Sequence, residues 1–361
     1  MTELSLERVF DHPGKFEPDW LADVLGQSAD ALRAFEFAPV GTGQVGDSFR
    51  LHLDWSEAAA NAPATIIAKC PAKDPVSRET GGHMRLYEIE TSWYRTLANS
   101  CAVRCPAHFH ADMGSTAQEF ILLLEDMAPA VQPDQMTGAS PDAVAKILSE
   151  AAHLHKFRWQ DPALADIAWL NYGAGNQGFV KEFLPAVYPE WRARYAPRID
   201  ANILDMGADL VARFDSYVEP NPALGDPPVT ITHGDMRLDN MLFFDQSGRA
   251  CLVDWQTVGV GAPMTDIAYC ISTSLADPQE RRDCESQLVA DYLGALGPAI
   301  TAAYSFEQAW QEYRRAAFAG FLMGVISAML VERTERGDEM FAVMAERSGY
   351  MALDLDALSL V

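Results

Sequence analysis

The residues best suited to chemistry lie in one polar loop within an apolar part of the chain. His233-Gly234-Asp235 is followed by Asn240, so an aspartate precedes an asparagine by five positions. A second aspartate, Asp254, follows the first by 19 positions and is itself followed by Trp255-Gln256. This spacing matches the H-x-D-x-x-x-x-N and D-F/W-x patterns associated with phosphoryl transfer.

Phosphoryl transfer needs a carboxylate that orients and deprotonates the attacking hydroxyl, together with oxygen ligands for Mg²⁺. We therefore predict that Asp235 is the catalytic base and that Asn240 and Asp254 bind Mg²⁺. Residues 229–254 read as short strands joined by turns, which can direct these side chains into one cleft. The alternative is a turn whose polar residues only cap the backbone.

The motifs H-G-D-x-R-x-D-N at residues 233–240 and D-W-Q at residues 254–256 resemble those of the aminoglycoside phosphotransferase/choline kinase superfamily. They are most similar to its ecdysteroid-kinase-like subgroup. The resemblance implies a two-lobed, protein-kinase-like fold that binds ATP and Mg²⁺ between its lobes and phosphorylates a small-molecule hydroxyl. A non-catalytic nucleotide-binding pseudokinase is the alternative, although such proteins usually lose the base or the metal ligands. All of these residues are present here.

A glycine-rich segment precedes these motifs. Gly41, Gly43 and Gly46 fit G-x-G-x-x-G, and residues 48–55 then alternate between polar and apolar side chains, as a half-buried strand does. A dinucleotide-binding fold needs a helix after the glycines, whereas a kinase places them in a hairpin over the ATP phosphates. We predict the hairpin and a role in ATP binding. A hairpin turn without a ligand stays open as an alternative.

Lys69 is the basic residue of the apolar strand predicted at residues 64–70. A kinase places a lysine on this strand to hold the α- and β-phosphates. On the helix predicted at about residues 83–98, Glu90 falls on the apolar face and Glu88 on the opposite face. We predict that Glu90 pairs with Lys69, because an unpaired charge on a buried face costs several kcal/mol.

Another strand is predicted at residues 119–124, followed by Glu125-Asp126-Met127. The resemblance implies that this segment is the hinge, at about residues 125–128, and that the backbone of Glu125 and Met127 contacts the adenine. A simple strand end is the alternative. The resemblance also implies that His233 and Asp266 brace the catalytic loop. His155 is interpreted as a packed histidine.

The fold class predicted is α+β, with a small antiparallel-sheet lobe and a larger, mostly helical lobe. The first is an ATP-binding lobe at residues 1–127, with strands at 35–40, 48–55, 64–70 and 119–124. The second, residues 128–361, contains the substrate pocket. Its helices are predicted from Ser140-Pro141-Asp142 onward and at 178–196, 198–218, 279–296, 305–335 and 338–358.

Composition excludes several other classes of protein. The 361 residues contain 51 acidic and 27 basic side chains, a net charge of −24. This charge disfavours binding to nucleic acid or to anionic membranes. No apolar run is long enough to span a membrane, no signal peptide is recognisable, and the six cysteines form no C-x-x-C pair. We expect a cytoplasmic protein with a small-molecule substrate and no evident protein partner.

The acceptor substrate is the least constrained prediction. The segment 157–195 is rich in aromatic residues, namely Phe157, Trp159, Trp169, Tyr172, Phe179, Phe183, Tyr188, Trp191 and Tyr195. These pack the helices or, in part, line an apolar pocket. An aminoglycoside site needs clustered carboxylates, and the segment offers Asp161, Asp166, Glu182 and Glu190 beside several basic residues. We predict an apolar alcohol over an aminoglycoside, with a choline-type cation as a third possibility.

Overall fold

The computed structural model describes residues 11–41, 45–59, 61–170, 172–219, 221–244 and 248–361. The chain divides into two compact units. The first extends to Ser100 and also includes Cys105–Pro129 and Asp254–Thr257. The second comprises Cys101–Arg104, Ala130–Val253 and Val258–Val361.

The first unit is built around a five-stranded antiparallel sheet of strand order β1-β2-β3-β5-β4. Its elements are α1 (Pro18–Val24), β1 (Leu32–Pro39), β2 (Gly46–Trp55), β3 (Thr65–Pro71), α2 (Pro75–His83), α3 (Leu86–Thr96), β4 (His108–Met113) and β5 (Phe120–Glu125). The alternation predicted for β2 is present: Phe49, Leu51 and Leu53 are buried. They join a core with the inward-facing residues of β3 and β5.

Two elements of the first unit, α2 and β4, are absent from the prediction. The helix predicted at about residues 83–98 is present as α3, and α2 precedes it, with Arg85 between them in the left-handed region at φ +55°. Gly81 in α2 allows the ring of Tyr87 in α3 to pack closely, since a Cβ at Gly81 would lie 2.5 Å from that ring. Strand β4 is absent from the prediction because its side chains are all half-buried and give no period-two pattern.

The second unit is mostly helical, with two short pairs of antiparallel strands. Its first part contains α4 (Pro141–Phe157), α5 (Tyr172–Tyr195), α6 (Ala201–Ala212) and α7 (Phe214–Val218). Strands β6 (Thr230–Thr232), β7 (Met241–Phe243), β8 (Ala250–Leu252) and β9 (Gly259–Gly261) follow, and β6 pairs with β9 while β7 pairs with β8. The remaining helices are α8 (Pro263–Ser274), α9 (Pro278–Leu296), α10 (Pro298–Thr301), α11 (Phe306–Ala316), α12 (Ala319–Leu330) and α13 (Glu335–Asp354).

Local sequence explains where several of these helices begin. Ser140 caps α4 by accepting a hydrogen bond from the amide of Ala143, at 3.3 Å, and Pro141 occupies the first helical position. The apolar positions of α4 are buried as predicted. The segments predicted at 198–218 and 305–335 are each interrupted, so that α6 is followed by α7 and α11 by α12.

The predicted α+β class is confirmed, with an antiparallel sheet in the smaller unit and mostly helices in the larger one. Among the described helices, none is both long enough and apolar enough to cross a membrane.

Candidate active site

Lys69 lies on β3 and holds two carboxylates at once. Its Nζ donates to both Glu90 oxygens at 2.7 Å and to Asp254 Oδ1 at 3.0 Å. Lys69 is 16% exposed and Glu90 only 3%. Burial opposes the lysine charge, but the Asp254 and Glu90 carboxylates outweigh burial and raise the Lys69 pKa. The structure thus pairs Lys69 with Glu90, the glutamate that was predicted from its position on the apolar face of the helix.

The two residues after Asp254 fix its place beside α3. Asp254 Oδ2 accepts a hydrogen bond from Gln256 Nε2 at 3.2 Å, and the amide of Trp255 donates to Glu90 Oε1 at 3.3 Å. The Trp255 indole stacks on that of Trp93 in α3. Asp254 itself has φ +66°, in the left-handed region that aspartate tolerates better than most residues. One carboxylate, Glu90, therefore positions both Lys69 and the start of the D-W-Q motif.

The glycine-rich segment connects β1 to β2, which pair in antiparallel register with Pro39 opposite Phe49. No helix begins after Gly46, because Gly46 is the first residue of β2. Gly41 has φ +78°, a conformation that favours glycine. Gly43 lies outside the described residues, so the phosphate-binding role of the segment stays a prediction. The hydroxyl of Tyr87 donates to the carbonyl of Val45.

The predicted hinge residues lie at the end of β5. The Glu125 amide donates to the carbonyl of Ala107 at 2.7 Å, and Glu125 Oε2 accepts from the Ala107 amide at 3.0 Å. Met127 is buried. Asp126 is paired with Arg50 at 2.7 Å. The adenine-binding role of Glu125 and Met127 stays a prediction.

In the second unit, the catalytic-loop motif surrounds Asp235 with donors. Asp235 Oδ2 accepts from Asn240 Nδ2 at 2.8 Å and from Arg237 Nε at 3.2 Å. Its other oxygen, Oδ1, accepts from the hydroxyl of Tyr269 at 2.7 Å. Asp235 remains 13% exposed. The loop therefore holds a fixed and still accessible carboxylate, as a general base requires.

The loop backbone is anchored to α8. Asp266 in the first turn of α8 accepts hydrogen bonds from the amides of His233, at 2.6 Å, and Gly234, at 3.0 Å. The buried His155 lies 3.2 Å from Asp266 through Nε2 and 2.7 Å from the Tyr292 hydroxyl through Nδ1. His233 Nε2 lies 3.1 Å from the carbonyl of Val253, the residue before Asp254. These are the bracing contacts that the resemblance implies.

Arg237 carries its charge in a mostly buried position. Burial opposes that charge, but Asp235, Tyr269 and Asp239 together raise the Arg237 pKa. Its Nη1 donates to Asp239 Oδ2 at 2.5 Å. Arg237 therefore joins Asp235 and Asp239 in one cluster of charged side chains within the loop.

Sequence reasoning missed Tyr269. It lies on α8 three residues after Asp266, so both side chains project from the same face of the helix toward the loop. That spacing could have indicated a second contact once Asp266 had been placed. The contact between Tyr269 and Asp235 was not predicted because the two residues lie 34 positions apart in the sequence.

The fold of the two units is of the protein-kinase-like α+β class. Residues 77–317 match the family model described as the phosphotransferase enzyme family, APH. The match covers about two thirds of the chain, and the chain belongs to this family. No curated protein sequence matches it significantly.

Solved structures with the same fold share little sequence with this chain. The gentamicin complex of APH(2'')-IIa is 14% identical, with a TM-score of 0.52, covering 92% of this chain and 96% of that one. ADP-bound APH(2'')-Ib is 14% identical, with a TM-score of 0.50, covering 89% and 95%. An ethanolamine kinase from Plasmodium vivax is 12% identical, with a TM-score of 0.50, covering 89% and 81%. At these identities the likeness is one of fold.

Proposed function

We propose that this protein is an ATP-dependent kinase that transfers the γ-phosphoryl group to a hydroxyl of a small molecule. The observation that carries the proposal is the Lys69–Glu90–Asp254 network. Lys69 on β3 is thereby held between the glutamate of α3 and the aspartate of the D-W-Q motif. In this arrangement Lys69 would hold the nucleotide phosphates and Asp254 would supply a carboxylate to the metal bound to them.

The residues present fit Mg²⁺, which prefers oxygen ligands. The Asn240 amide nitrogen already donates to the carbonyl and carboxylate of Asp235, so its oxygen is the ligand atom. Asp254 supplies a carboxylate. Bound Mg²⁺ would neutralise charge on the phosphates that accept the nucleophile. Lys69 would hold the α- and β-phosphates, and Gly41, Gly43 and Gly46 would cover them. The hinge backbone at Glu125 and Met127 would receive the adenine.

In the proposed reaction, Asp235 accepts the proton of the acceptor hydroxyl. The hydroxyl oxygen forms a bond to the γ-phosphorus while the bond from that phosphorus to the β–γ bridging oxygen breaks. ADP leaves with the electron pair. Arg237 and Asn240 hold the carboxylate in one orientation throughout. The products are ADP, a phosphorylated alcohol and the proton taken by Asp235.

For the acceptor, we propose a largely apolar alcohol, as in the ecdysteroid-kinase-like subgroup that the H-G-D-x-R-x-D-N motif resembles. Two of the four carboxylates of segment 157–195 already have arginine partners, Asp161 with Arg158 at 2.9 Å and Glu190 with Arg194 at 2.9 Å. Fewer carboxylates of this segment are therefore left to bind the ammonium groups of an aminoglycoside.

The aromatic side chains that the structure describes on α5 divide into two groups. Tyr188, Trp191 and Tyr195 are buried and pack the helices. Phe179 is 47% exposed and stacks on Phe183 at 5.0 Å between ring centroids. We propose this stacked pair on α5 as an apolar surface for the acceptor.

The test measures ADP release at fixed Mg²⁺ and ATP over a panel of apolar alcohols, aminoglycosides and choline-type alcohols. We expect turnover of at least one apolar alcohol, which Asp235→Asn abolishes. Turnover of kanamycin-type sugars alone would overturn the acceptor class and leave the kinase chemistry standing. A protein that neither binds Mg·ATP nor consumes it contradicts the kinase proposal.

A cytoplasmic location belongs to the same proposal. Its support is that all six cysteines are free thiols, which persist in a reducing compartment.

A further inference from the structure

Tyr269 is the donor to one oxygen of the proposed base. Its phenol is 2% exposed and its hydroxyl lies 2.7 Å from Asp235 Oδ1. It projects from α8, the helix whose Asp266 accepts hydrogen bonds from the amides of His233 and Gly234. The same helix therefore fixes both the backbone of the catalytic loop and the carboxylate that the loop carries.

The hydrogen bonds to Asp235 are distributed unequally between its oxygens. A carboxylate offers about two acceptor positions on each oxygen. Oδ2 uses both, for Arg237 and Asn240. Within the described part of the chain, Oδ1 accepts one hydrogen bond, from Tyr269. The acceptor position left for a substrate hydroxyl is therefore the second one on Oδ1.

We propose that Tyr269 is a positioning residue for phosphoryl transfer, which fixes the Asp235 carboxylate so that Oδ1 receives the proton of the acceptor. This inference rests on the proposed function. Without the Tyr269 hydrogen bond, the carboxylate keeps Arg237 and Asn240 on Oδ2 but can rotate about its bond to Cβ. Oδ1 then loses its fixed direction toward the acceptor, and the transition state forms less often.

Tyr269 acts as a donor and not as a second base. Burial first, and then the negative charge of Asp235, raise the pKa of Tyr269 well above its ordinary value. The phenol thus stays protonated at neutral pH, and its O–H donates a hydrogen bond to Asp235 Oδ1. The proton released by the acceptor goes to Asp235.

Tyr269→Phe tests this inference because it removes the hydroxyl and keeps the ring. The probe is Mg·ATP with water as acceptor, followed as Mg²⁺-dependent ATP hydrolysis, so no identified alcohol is needed. We expect kcat to fall roughly tenfold to a hundredfold, less than the ~10²–10⁴ that a general base contributes. The KM for ATP should stay unchanged, because Tyr269 contacts Asp235, to which we assign no part in nucleotide binding.

The matched control is Tyr313→Phe. Tyr313 is also fully buried in the second unit and also donates to a carboxylate, Glu285 Oε2 at 3.0 Å. Removal of the Tyr313 hydroxyl should lower the melting temperature and leave kcat for ATP hydrolysis unchanged. A merely structural role for Tyr269 would give this same pattern, with a lower melting temperature and full kcat, and would overturn the inference.

Asp235→Asn separates this inference from the proposed function. Full ATP hydrolysis in Asp235→Asn would contradict Asp235 as the base and therefore the proposed function itself. Loss of hydrolysis in Asp235→Asn together with full hydrolysis in Tyr269→Phe would overturn the role of Tyr269 alone. We expect ATP hydrolysis to fall in both Asp235→Asn and Tyr269→Phe, while Tyr313→Phe keeps the activity of the wild type.

Discussion

Trp255 stacks on Trp93 with ring centroids 4.2 Å apart and planes 12° from parallel. Trp93 belongs to α3, the helix that carries Glu90, and Trp255 directly follows Asp254. Both indoles are fully buried. Through this stack, α3 fixes the position of the proposed metal ligand as well as that of the glutamate beside Lys69.

Removal of the Trp93 ring should therefore affect stability and nucleotide binding together. We expect Trp93→Ala to lower the free energy of unfolding by about 3–5 kcal/mol, as loss of a buried tryptophan generally does. Trp93→Phe keeps a smaller aromatic ring, so this variant should still fold. It should bind Mg·ATP more weakly than the wild type does. Urea unfolding and titration with Mg·ATP measure the two effects.

Trp20→Ala is the control within the same unit, because Trp20 of α1 is only partly buried and packs beside Phe16. It should cost less stability and keep Mg·ATP affinity. Equal loss of affinity in both variants would show that the Trp93–Trp255 stack has no specific role.

Glu90 and Glu88 lie two positions apart on α3 and allow a sharp comparison. Glu90→Gln removes the buried partner of Lys69, and loss of one member of a buried pair costs a few kcal/mol. We expect kcat/KM for ATP to fall on the order of tenfold or more. Glu88→Gln breaks a surface pair with Arg85 at 2.8 Å, of the kind that contributes little. Steady-state kinetics with ATP should show almost no change for this variant, and an equal fall in both would refute the assignment.

Asp235→Asn should separate chemistry from binding. We expect turnover to fall by ~10²–10⁴, as for removal of a general base, while Mg·ATP still raises the melting temperature. Asp254→Ala should do the reverse, weakening Mg²⁺-dependent nucleotide binding first. A thermal-shift titration with ATP, in the presence and absence of Mg²⁺, distinguishes the two variants. Identical profiles would contradict the separate roles proposed for the two aspartates.

Glu312 makes stability depend on pH. Burial raises the pKa of Glu312 to about 7, although a hydrogen bond from Tyr304 partly opposes this shift. Because the folded-state pKa lies above the unfolded value, the contribution of Glu312 is complete at pH below the unfolded pKa. It is lost as the pH rises from about 4.5 to about 7.

Glu312→Gln should remove this part of the pH dependence and stabilise the protein above pH 7 by on the order of 2 kcal/mol. The Gln oxygen can still accept the Tyr304 hydrogen bond. The measurement is urea unfolding at several pH values between about 4.5 and about 8. If the free energy of unfolding changed with pH in the same way in Glu312→Gln and in the wild type, the raised pKa assigned to Glu312 would be contradicted.

Local patterns were enough to predict part of this protein. The period-two alternation of β2 and the helical position of Glu90 follow from backbone geometry alone, so both could be read from sequence. The metal and base residues were proposed from their spacing in two motifs, H-G-D-x-R-x-D-N at residues 233–240 and D-W-Q at residues 254–256. Strand β4 was not predictable because its side chains are uniformly half-buried.

The missed features depend on contacts between distant parts of the chain. Tyr269 is 34 positions from Asp235, and only the packing of α8 against the loop brings them together. The aromatic residues of α5 illustrate the same limit. Their number was visible in the sequence, but the burial of Trp191 and Tyr195 and the exposure of Phe179 depend on the neighbouring helices.

The left-handed backbone at Asp254 restricts which residues this position can accept. A metal ligand alone could equally be glutamate, and a left-handed conformation alone would favour glycine or asparagine. Aspartate meets both demands with one short side chain, and it also reaches Lys69 at 3.0 Å. The residue type at position 254 is thus restricted twice, by the metal-ligand role that we propose for it and by its main-chain conformation. Asparagine there would keep the fold and lose charge, whereas glutamate would keep the charge at the expense of the turn.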